Sequence, residues 1–360
     1  MRVLVCTVVH HPGDARIYFR QIRALLAAGH AVTYIAPMGE PGAPDSLGPG
    51  LTTVAIPRAV GKRRVGALRA ARAALAAHAP SADLLLVHDP ELLLVLPPRG
   101  KRPPTVWDVH EDTAAALTTK AWLPPFLRPV AAGGVIAAEH LAERRLHLIL
   151  AETGYNDRFK GSHPVVPNTA YVPEAAAPPG GPRRVIYIGW LSPDRGSAEM
   201  TELGRLLAPY GIRVELIGQA DAQAQEHIKA AGDAVRWHGF VPNAQALQMA
   251  DGALAGLSLL QDEANFRHSM PTKVIEYMAR GLPVITTPLP LAVDLVQSAD
   301  CGFVIPFSDP QAAAEAVLKL DADQDLRVAM GTRGHEAALR ELGWPRHAEA
   351  FVAQLAQWAR

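Results

Sequence analysis

The 360-residue sequence is poor in cysteine and shows no excess of either charge. Its two cysteines, Cys6 and Cys301, are far apart in the chain. Two cysteines build neither a disulfide framework nor a cysteine-rich zinc site, so a reducing, cytoplasmic environment fits best. The 35 basic residues balance 35 acidic ones. This net charge of zero argues against a protein that binds nucleic acid through bulk electrostatics.

Long apolar runs are also missing. No stretch reaches the roughly 18 uninterrupted apolar residues that a membrane-spanning helix requires. Even "DLLLVHDPELLLVLPP" (83–98) is broken in its middle by "HDPE". The first residues, "MRVLVCTVVHH", hold a short apolar run and no small-residue cleavage site, which is not the pattern of a signal peptide. We therefore expect a cytoplasmic protein that does not span a membrane.

The sequence does contain a regular alternation of apolar strands and helices. Hydrophobic residues make up 49% of it, and 360 residues exceed the usual size of one core. Strands such as "VLVCTVV" and "DLLLVHD" are apolar throughout, which indicates a parallel sheet covered on both faces. The alternation stops in a segment rich in Pro, Gly and Ala and restarts with "RVIYIGW".

This organisation predicts an α/β protein with two doubly wound, Rossmann-like domains. We place the N-terminal domain at residues 1–170, a linker at 171–184 and the C-terminal domain at 185–344. A last helix, 345–360, is expected to pack back toward the N-terminal domain. Ligands of such sheets bind at the carboxyl ends of the strands, here in a cleft between the domains.

A lysine lies in the first turn of the helix predicted in "PTKVIEYMARGLPV" (271–284). Pro271 suits a helix start, and Lys273 and Glu276 share a face because they are three residues apart. A cation in a first turn opposes the helix dipole unless an anion binds there. We interpret these residues, with Thr272, as a site for a diphosphate and a ribose; the alternative is a surface ion pair of little energy.

A second cation follows an earlier strand. In "YIGWLSPDRGSAEM" (187–200), Gly189 ends the strand and Arg195 stands at the start of the next helix. A glycine and a cation in this arrangement can bind another anionic group. An ordinary connection between strand and helix explains the same residues equally well.

Three strand ends in the first half carry titratable residues. These are "HHPGDARIY" (10–18), "HDPEL" (88–92) and "WDVHE" (107–111). Such clusters at carboxyl ends of strands suit acid–base or hydroxyl-binding chemistry, although single histidines are more often structural. No familiar spacing of metal ligands is present, so no metal is predicted. The D-x-D in "DADQD" (321–325) is interpreted as helix capping.

Two further segments have alternative interpretations. The basic stretch 58–72 is a candidate for contact with anionic lipid on the inner face of a membrane, or with an anionic acceptor. The simpler interpretation is a solvated helix face. Segment 119–138 is either a flap on the acceptor side or a packed helix.

Together, these motifs resemble family 4 of the retaining, GT-B glycosyltransferases over nearly the whole chain. The likeness is to the branch with H-P-x-D-x-R-I-F, H-D-P-E-L, D-x-H-E and P-x-K-x-x-E-Y-M motifs. This chain has "HPGDARIY", "HDPEL", "WDVHE" and "PTKVIEYMARGLPV" in the same order. The resemblance implies a GT-B fold and retaining transfer of a sugar from a UDP- or GDP-sugar to a hydroxyl acceptor. It implies no cofactor, no metal and no nucleic-acid partner.

The resemblance also implies roles for individual residues. The catalytic groups are His110, which faces the donor sugar, and the diphosphate-binding cations Arg195 and Lys273. The donor-binding residues are Gly13, Gly189, Arg195, Phe240, Val241, His268, Pro271, Thr272, Lys273 and Glu276. The acceptor-side residues are His11, Asp14, Arg16, His88, Asp89 and Glu111.

Two positions depart from the family pattern. His268 stands where the family has a glutamate, and Trp190 replaces the arginine that follows the strand glycine. A carboxylate contact to the donor sugar and one phosphate cation are therefore absent, and Lys273 is expected to supply the second cation. These departures keep two alternatives open. One is a non-catalytic nucleotide-sugar-binding subunit, and the other is a different GT-B enzyme such as a nucleotide-sugar epimerase or a phosphorylase.

Overall fold

The computed structural model describes residues 1–40, 49–110, 112–114, 124–178 and 180–359. The chain divides into two compact units. The first contains Met1–Asn168 and the helical segment from Pro345 onward, and the second contains Thr169–Trp344.

The first unit is built on six parallel strands. They are β1 (Arg2–Cys6), β2 (Ala31–Ala36), β3 (Leu51–Ala55), β4 (Leu84–Val87), β5 (Thr105–Val109) and β6 (His147–Leu150). Their order is β3-β2-β1-β4-β5-β6. Every residue of β4 and β5 is buried, as expected for strands covered on both faces. The strand β6 was not predicted from the sequence.

Helices cover this sheet. They are α1, in which a π-helical turn Ala15–Ile22 continues into Arg23–Ala27, then α2 (Arg64–His78) and α3 (Arg128–Glu143). Ile17, Ile22 and Leu25 of α1 are fully buried against the sheet, whereas Leu26 is only partly buried. Core residues of α2 and α3 belong to the same hydrophobic cluster, so these two helices cover the same face of the sheet.

The second unit repeats this plan. Its strands are β7 (Arg184–Ile188), β8 (Arg213–Ile217), β9 (Val235–Trp237), β10 (Ala255–Ser258), β11 (Val284–Thr286) and β12 (Gly302–Val304). All pairings are parallel and the order is β12-β11-β10-β7-β8-β9. Because β7 begins at Arg184, the predicted linker 171–184 runs one residue into the sheet.

The helices of the second unit lie between these strands in the chain, except for the last two, which follow β12. They are α4 (Ser197–Leu207), α5 (Ala222–Ala231), α6 (Asn243–Ala250), α7 (Thr272–Ala279), α8 (Pro290–Ser298), α9 (Pro310–Ala322) and α10 (Gln324–Ala337). The side chain of Asp323 caps α10 by accepting from the Leu326 N–H, which is the capping role predicted for "DADQD".

A last helix, α11 (Trp344–Trp358), runs from the second unit into the first. In the first unit the Trp358 ring stacks on His147 of β6, with 4.7 Å between the ring centroids. In the described part of the chain, no helix is both long and apolar enough to cross a membrane.

Strand order places the candidate residues. In each unit, successive strands are added first toward one edge of the sheet and then toward the other. The change occurs between two neighbouring strands, β1 and β4 in the first unit and β7 and β10 in the second. The carboxyl ends of strands diverge into loops at such a point, which leaves room for a ligand. The motifs identified in the sequence follow these strands.

Candidate functional site

The first group of candidate residues lies in the second unit, and we call Tyr187, Arg195, Lys273 and Glu276 the lysine cluster. Pro271 is the N-cap of α7, and its carbonyl accepts from the Val274 N–H at 2.9 Å. Lys273 is only 6% exposed. Its Nζ donates to Tyr187 Oη at 3.2 Å and lies 4.4 Å from the centroid of the same ring.

Burial controls the charge of this lysine. Burial and, after it, the positive charge of Arg195 lower the pKa of Lys273 to about 7, although Glu276 and Asp194 act in the opposite direction. Burial raises the pKa of Tyr187 to about 12, so its hydroxyl stays protonated and donates to the Trp190 carbonyl at 2.6 Å. At neutral pH, Lys273 is therefore divided between its ammonium and amine forms, and an arriving anion favours the ammonium.

A tight turn positions Arg195. The turn Pro193–Arg195 ends at Gly196, whose φ is +82°. A side chain at Gly196 would have its Cβ 2.3 Å from the Leu259 carbonyl oxygen, so the close approach requires glycine. The Arg195 guanidinium carbon lies 5.6 Å from the Phe266 ring centroid. The Arg195 guanidinium also interacts with the Tyr187 hydroxyl and opposes the rise in its pKa that burial causes, so Arg195 and Lys273 both lie close to this hydroxyl.

Two glycines leave space around the cluster. Gly189 follows β7 with a φ of +139°, and an added Cβ would lie 3.5 Å from Lys273 Cε. In β10, a Cβ on Gly256 would lie 2.2 Å from the Tyr277 ring. That ring covers the glycine, and its hydroxyl accepts the Ile188 N–H at 2.9 Å. The glycine thus lets Tyr277 join α7 to the end of β7.

The structure places the other predicted donor residues around the ends of the strands. Thr272 is partly buried at the start of α7, whereas His268 is exposed in the preceding turn. Phe240 and Trp190 are both 45% exposed, and Val241 is partly buried. The described contacts do not bring His268 to the lysine cluster.

The second group lies in the first unit, and we call His10, His88, Asp89, Asp108 and His110 the histidine cluster. Asp108 is fully buried in β5. It accepts two hydrogen bonds of 2.7 Å from Arg16, through Nε and Nη2, and one of 2.7 Å from Gln21. Burial alone would raise the pKa of Asp108, but the Arg16 guanidinium and these donors hold it well below its usual range. Asp108 is thus a permanent anion.

Arg16 is committed to the protein interior. Besides Asp108, its Nη1 donates to the Val166 carbonyl at 2.8 Å and to Asn168 Oδ1 at 3.0 Å. All three guanidinium nitrogens are therefore engaged, and only 5% of the residue is exposed. Arg16 was predicted on the acceptor side, but in the structure its guanidinium forms a buried ion pair with Asp108.

Two histidines share a hydrogen bond at the mouth of this cluster. His110 Nδ1 lies 3.0 Å from the Asp108 backbone carbonyl, which can only accept, so Nδ1 carries the proton. His110 Nε2 lies 3.0 Å from His10 Nε2. Burial lowers the pKa of His110, and the neighbouring His10 lowers it further. A neutral His110 then accepts at Nε2, and His10 is the donor.

Asp89 and His88 connect the ends of β4 and β1. Asp89 Oδ2 accepts from Thr7 Oγ1 at 2.8 Å and from the Val8 N–H at 2.5 Å. Its Oδ1 lies 3.2 Å from His10 Nε2. His88 is fully buried with Nδ1 3.2 Å from Asp108 Oδ2, although neither ring nitrogen makes a well-directed hydrogen bond. His88 and Asp89, which were predicted on the acceptor side, are therefore both buried inside the protein.

The loop after β1 is internally bonded. The Gly13 N–H donates to His11 Nδ1 at 3.0 Å. Asp14 Oδ1 accepts from the N–H groups of Arg16 and Ile17, which caps α1. Burial opposes the ionisation of Asp14, but His10 and the two N–H groups outweigh it and lower its pKa. Glu111, the remaining acceptor-side prediction, lies outside the described residues.

The cluster contains one set of atoms with metal-like spacing. One ligand atom each from His88, Asp108 and His110 lie within 4.8 Å of one another. However, the Asp108 oxygens already accept three N–H donors, two of them from the Arg16 cation. A metal ion there would lose its only anionic ligand to Arg16. The trio is better described as a set of buried polar side chains around the Arg16–Asp108 ion pair.

Sequence reasoning did not assign Tyr187, His10, Gln21 or Asp108 to a site. His10 and Asp108 stand inside the motifs that were found, but nothing in the motifs distinguishes them from their neighbours. Tyr187 and Gln21 lie in an apolar strand and an amphipathic helix, where a polar group is a weak signal. Their importance follows from the side chains they meet in space.

Comparison with known proteins finds a family match within the second unit. Residues 172–337 match the model of the family described as Glycosyl transferases group 1. The capsular polysaccharide biosynthesis glycosyltransferase CapM of Staphylococcus aureus is 24% identical over 152 residues, which cover 42% of this chain and 40% of CapM. The chain spans less than half the length of the curated relatives it matches.

Solved structures extend the likeness to the whole chain. Sucrose-phosphate synthase of Thermosynechococcus elongatus superimposes with a TM-score of 0.73 at 20% identity, over 99% of this chain and 97% of that one. HepE of Anabaena, solved in complex with UDP-glucose, gives a TM-score of 0.71 at 15% identity, over 99% of this chain and 100% of HepE. Residues 172–337 therefore match the Glycosyl transferases group 1 family, within a chain of two-domain, Rossmann-like GT-B fold.

Proposed function

We propose that this protein is a retaining glycosyltransferase. It transfers a sugar from a nucleoside-diphosphate-sugar, of UDP or GDP type, to a hydroxyl acceptor in the biosynthesis of a polysaccharide or a glycosylated secondary metabolite. The observation that carries the proposal is the lysine cluster. Within a glycosyltransferase domain, two cations, Arg195 and the buried Lys273, meet at the Tyr187 hydroxyl beside the start of α7.

The donor diphosphate is the ligand that best fits these groups. The first N–H groups of a helix have no partner within it, and its dipole is positive at that end. Lys273 and Arg195 add positive charge at the same place. Glu276 is proposed to accept the ribose hydroxyls, and the base to lie at Phe240 and Val241. The HepE complex with UDP-glucose supports a donor of this class for a chain of the same fold.

The chemistry follows from the charge that develops in the reaction. When the glycosidic bond breaks, negative charge grows on the leaving β-phosphate. Arg195, Lys273 and the α7 N-terminus meet that charge with fixed donors, so the proposed mechanism requires neither a metal ion nor a cofactor. The acceptor hydroxyl oxygen attacks the anomeric carbon from the face that the phosphate leaves, and its proton passes to the departing phosphate oxygen. This proposed step retains the anomeric configuration without a protein nucleophile.

We assign the acceptor side to the first unit. His110, held neutral by burial and by His10, is proposed to face the donor sugar. His11 and Asp14, in the loop after β1, are partly exposed and are the acceptor-side predictions nearest to solvent. Arg16, His88 and Asp89 support these groups from the interior rather than contacting an acceptor. Peripheral membrane contact through the basic stretch 58–72 belongs to the same proposal.

One observation favours a second candidate, a non-catalytic subunit that only binds nucleotide-sugars. His268 is exposed and stands where a donor-sugar carboxylate was expected, and Trp190 stands in place of an arginine. Binding without turnover across donors would support this candidate. Transfer or hydrolysis with any donor would exclude it.

The proposal is tested by a donor screen. The purified protein is melted with UDP-, GDP- and dTDP-sugars, and the samples are then assayed for release of the nucleoside diphosphate. A ligand at 100 times its Kd stabilises a protein by about 2.7 kcal/mol, which is easily measured as a rise in Tm. We expect one nucleotide class to raise the Tm and to release diphosphate when an acceptor is present. If no nucleotide-sugar raises the Tm, the proposal is wrong.

A further inference from the structure

Helix α3 is amphipathic, but its acidic residues face the protein and its apolar residues face outward. Its two carboxylates face the protein. Glu139 is 2% exposed and forms an ion pair with Arg158. Glu143 Oε1 accepts from the Gly161 N–H at 2.7 Å and contacts His163 Nε2 at 3.0 Å. A surface helix of a globular protein normally turns its charged residues outward, so this arrangement calls for an external partner of the outer face.

The outer face of α3 and of the turn before it is apolar along its whole length. Phe126 is 76% exposed, Val130 71% and Leu141 46%, and these residues are large hydrophobic ones. At 100° per residue, the exposed positions of the stripe fall within an arc of about 120°. We call this set the α3 stripe; it consists of Phe126, Leu127, Val130, Gly133, Gly134, Ala137 and Leu141. It is about 22 Å long and contains no charged residue.

A cluster of arginines lies where the stripe ends. Arg144 and Arg145 follow α3 and are exposed, and Arg99 Nη2 donates to the Arg145 carbonyl at 3.3 Å. Arg102 is close by, because partial burial and then the charges of Arg99 and Arg145 lower its pKa. Its buried Nη1 makes no hydrogen bond within the described chain. Among the described residues, the charges that act on Arg102 are those of other arginines and not of a carboxylate, which favours an anionic partner.

More positive charge lies on the same side of the sheet. Helix α2 packs into the same core cluster as α3. Exposed basic side chains occupy the turn before it and its outer face; these are Lys62, Arg63, Arg69 and Arg72, whereas Arg64 is paired with Glu91. The sequence contains no Asp or Glu between residues 58 and 82. The apolar stripe is therefore accompanied by basic side chains from two parts of the unit.

We propose that the α3 stripe docks on an anionic lipid bilayer, with its apolar side chains at the boundary between headgroups and acyl chains and the arginine cluster at lipid phosphates. The affinity of an interfacial helix for such a membrane comes from two contributions, burial of its apolar face and attraction of its basic side chains to anionic lipid. A second copy of the chain fits less well. The stripe offers no carboxylate for the arginines of another copy, since Glu139 and Glu143 are engaged inside. This inference extends the proposed membrane contact of the basic stretch 58–72 to α3 and names its lipid partner, and it does not depend on the proposed sugar transfer.

The test is vesicle flotation of the full chain. One set of vesicles is phosphatidylcholine alone, and the other contains about three parts phosphatidylglycerol to seven of phosphatidylcholine. We expect the protein to float with the anionic vesicles and to be released by high salt. The double variant V130D/L141D should bind at least tenfold less, and R144E/R145E should lose the salt-sensitive part of binding. The control is V328D/L339D, which places the same charges at exposed apolar positions of the second unit.

Thermal melts of the variants without any ligand show whether they are folded. Donor-induced Tm shifts are measured separately, and they test the proposed function independently of membrane binding. Equal flotation of V130D/L141D and the control pair would overturn the proposal. So would binding that ignores phosphatidylglycerol, or a vesicle-free dimer in light scattering that V130D/L141D abolishes, since the occupant would then be a second copy.

Discussion

The ammonium nitrogen of Lys273 lies 3.2 Å from the Tyr187 hydroxyl and 4.4 Å from the centroid of the same ring. Both side chains are buried, and α7 and β7 bring them together from positions 86 residues apart. The hydroxyl cannot neutralise the lysine. The contact therefore holds a cation in place while leaving its charge available for a ligand.

Loss of either cation should impair the reaction strongly. Removing one preorganised donor to a developing charge typically costs about 10²–10³ in rate. We expect Lys273→Ala and Arg195→Ala each to lower kcat/KM at least tenfold, measured by release of the nucleoside diphosphate. Arg213→Ala, at an exposed arginine at the other end of β8, is the matched control and should retain its activity. Near-normal activity in both variants would refute the assignment of the cations.

Donor binding should depend on pH through Lys273. Its pKa of about 7 in the free protein means that the ammonium is fully formed only below that pH. An anionic ligand raises this pKa, so binding above pH 7 requires uptake of a proton. The Kd for UDP-glucose should be constant below about pH 7 and should rise above it, by up to about tenfold per pH unit.

Calorimetry in two buffers of different ionisation enthalpy measures this proton uptake directly. The Lys273→Met variant removes the titrating group, so its weaker binding should vary little over the same range. An equal pH dependence in wild type and Lys273→Met would assign the titration to another group.

The Arg16–Asp108 pair should be essential for stability. Asp108→Asn leaves the Arg16 cation buried without its anion, which typically costs about 3–5 kcal/mol of the free energy of unfolding. The exposed pair Arg205–Glu202 is the control, and Arg205→Met should cost under about 1 kcal/mol. Urea denaturation at neutral pH measures both. A loss below about 1 kcal/mol for Asp108→Asn would contradict the prediction.

The same pair has a defined pH dependence. The pKa of Asp108 is lower in the folded protein than its unfolded value of about 3.9. Its stabilisation is therefore complete at neutral pH and declines only as the pH falls below about 4. The stability difference between wild type and Asp108→Asn should shrink in that range.

His10 should control the protonation of His110. Next to burial, the charge of His10 is the strongest cause that lowers the pKa of His110. We expect His10→Ala to raise the pKa of His110, as followed by NMR of nitrogen-labelled histidines. His78→Ala, on the far end of α2, serves as the control and should leave it unchanged. A His110 pKa that is unaffected by His10→Ala would show that burial alone sets it.

Much of the fold could be predicted because it depends on local patterns. The restart of the alternation at "RVIYIGW" predicts a second parallel sheet, and the structure has six parallel strands in that unit. The short strand His147–Leu150 was missed because it follows two arginines and has only four residues. Four residues are too few for an alternation or a buried run to stand out.

The site was harder to predict because its contacts are not local. Motifs located Lys273 and His110, but not the hydroxyl and the imidazole that they meet. Arg16 looked like a ligand-binding cation, and only the parallel register of β1, β4 and β5 shows that it faces Asp108 instead. Sequence patterns give residue types at strand ends, whereas pairing across the sheet decides which of them turn inward.

The glycine beneath Tyr277 has a consequence for how this sequence can evolve. Any side chain at Gly256 would collide with the aromatic ring, and loss of the ring would leave the Ile188 N–H without its acceptor. Neither position can change alone without cost, although they are 21 residues apart on different elements. We therefore expect positions 256 and 277 to covary among homologues, with larger residues at 256 appearing only where 277 is small.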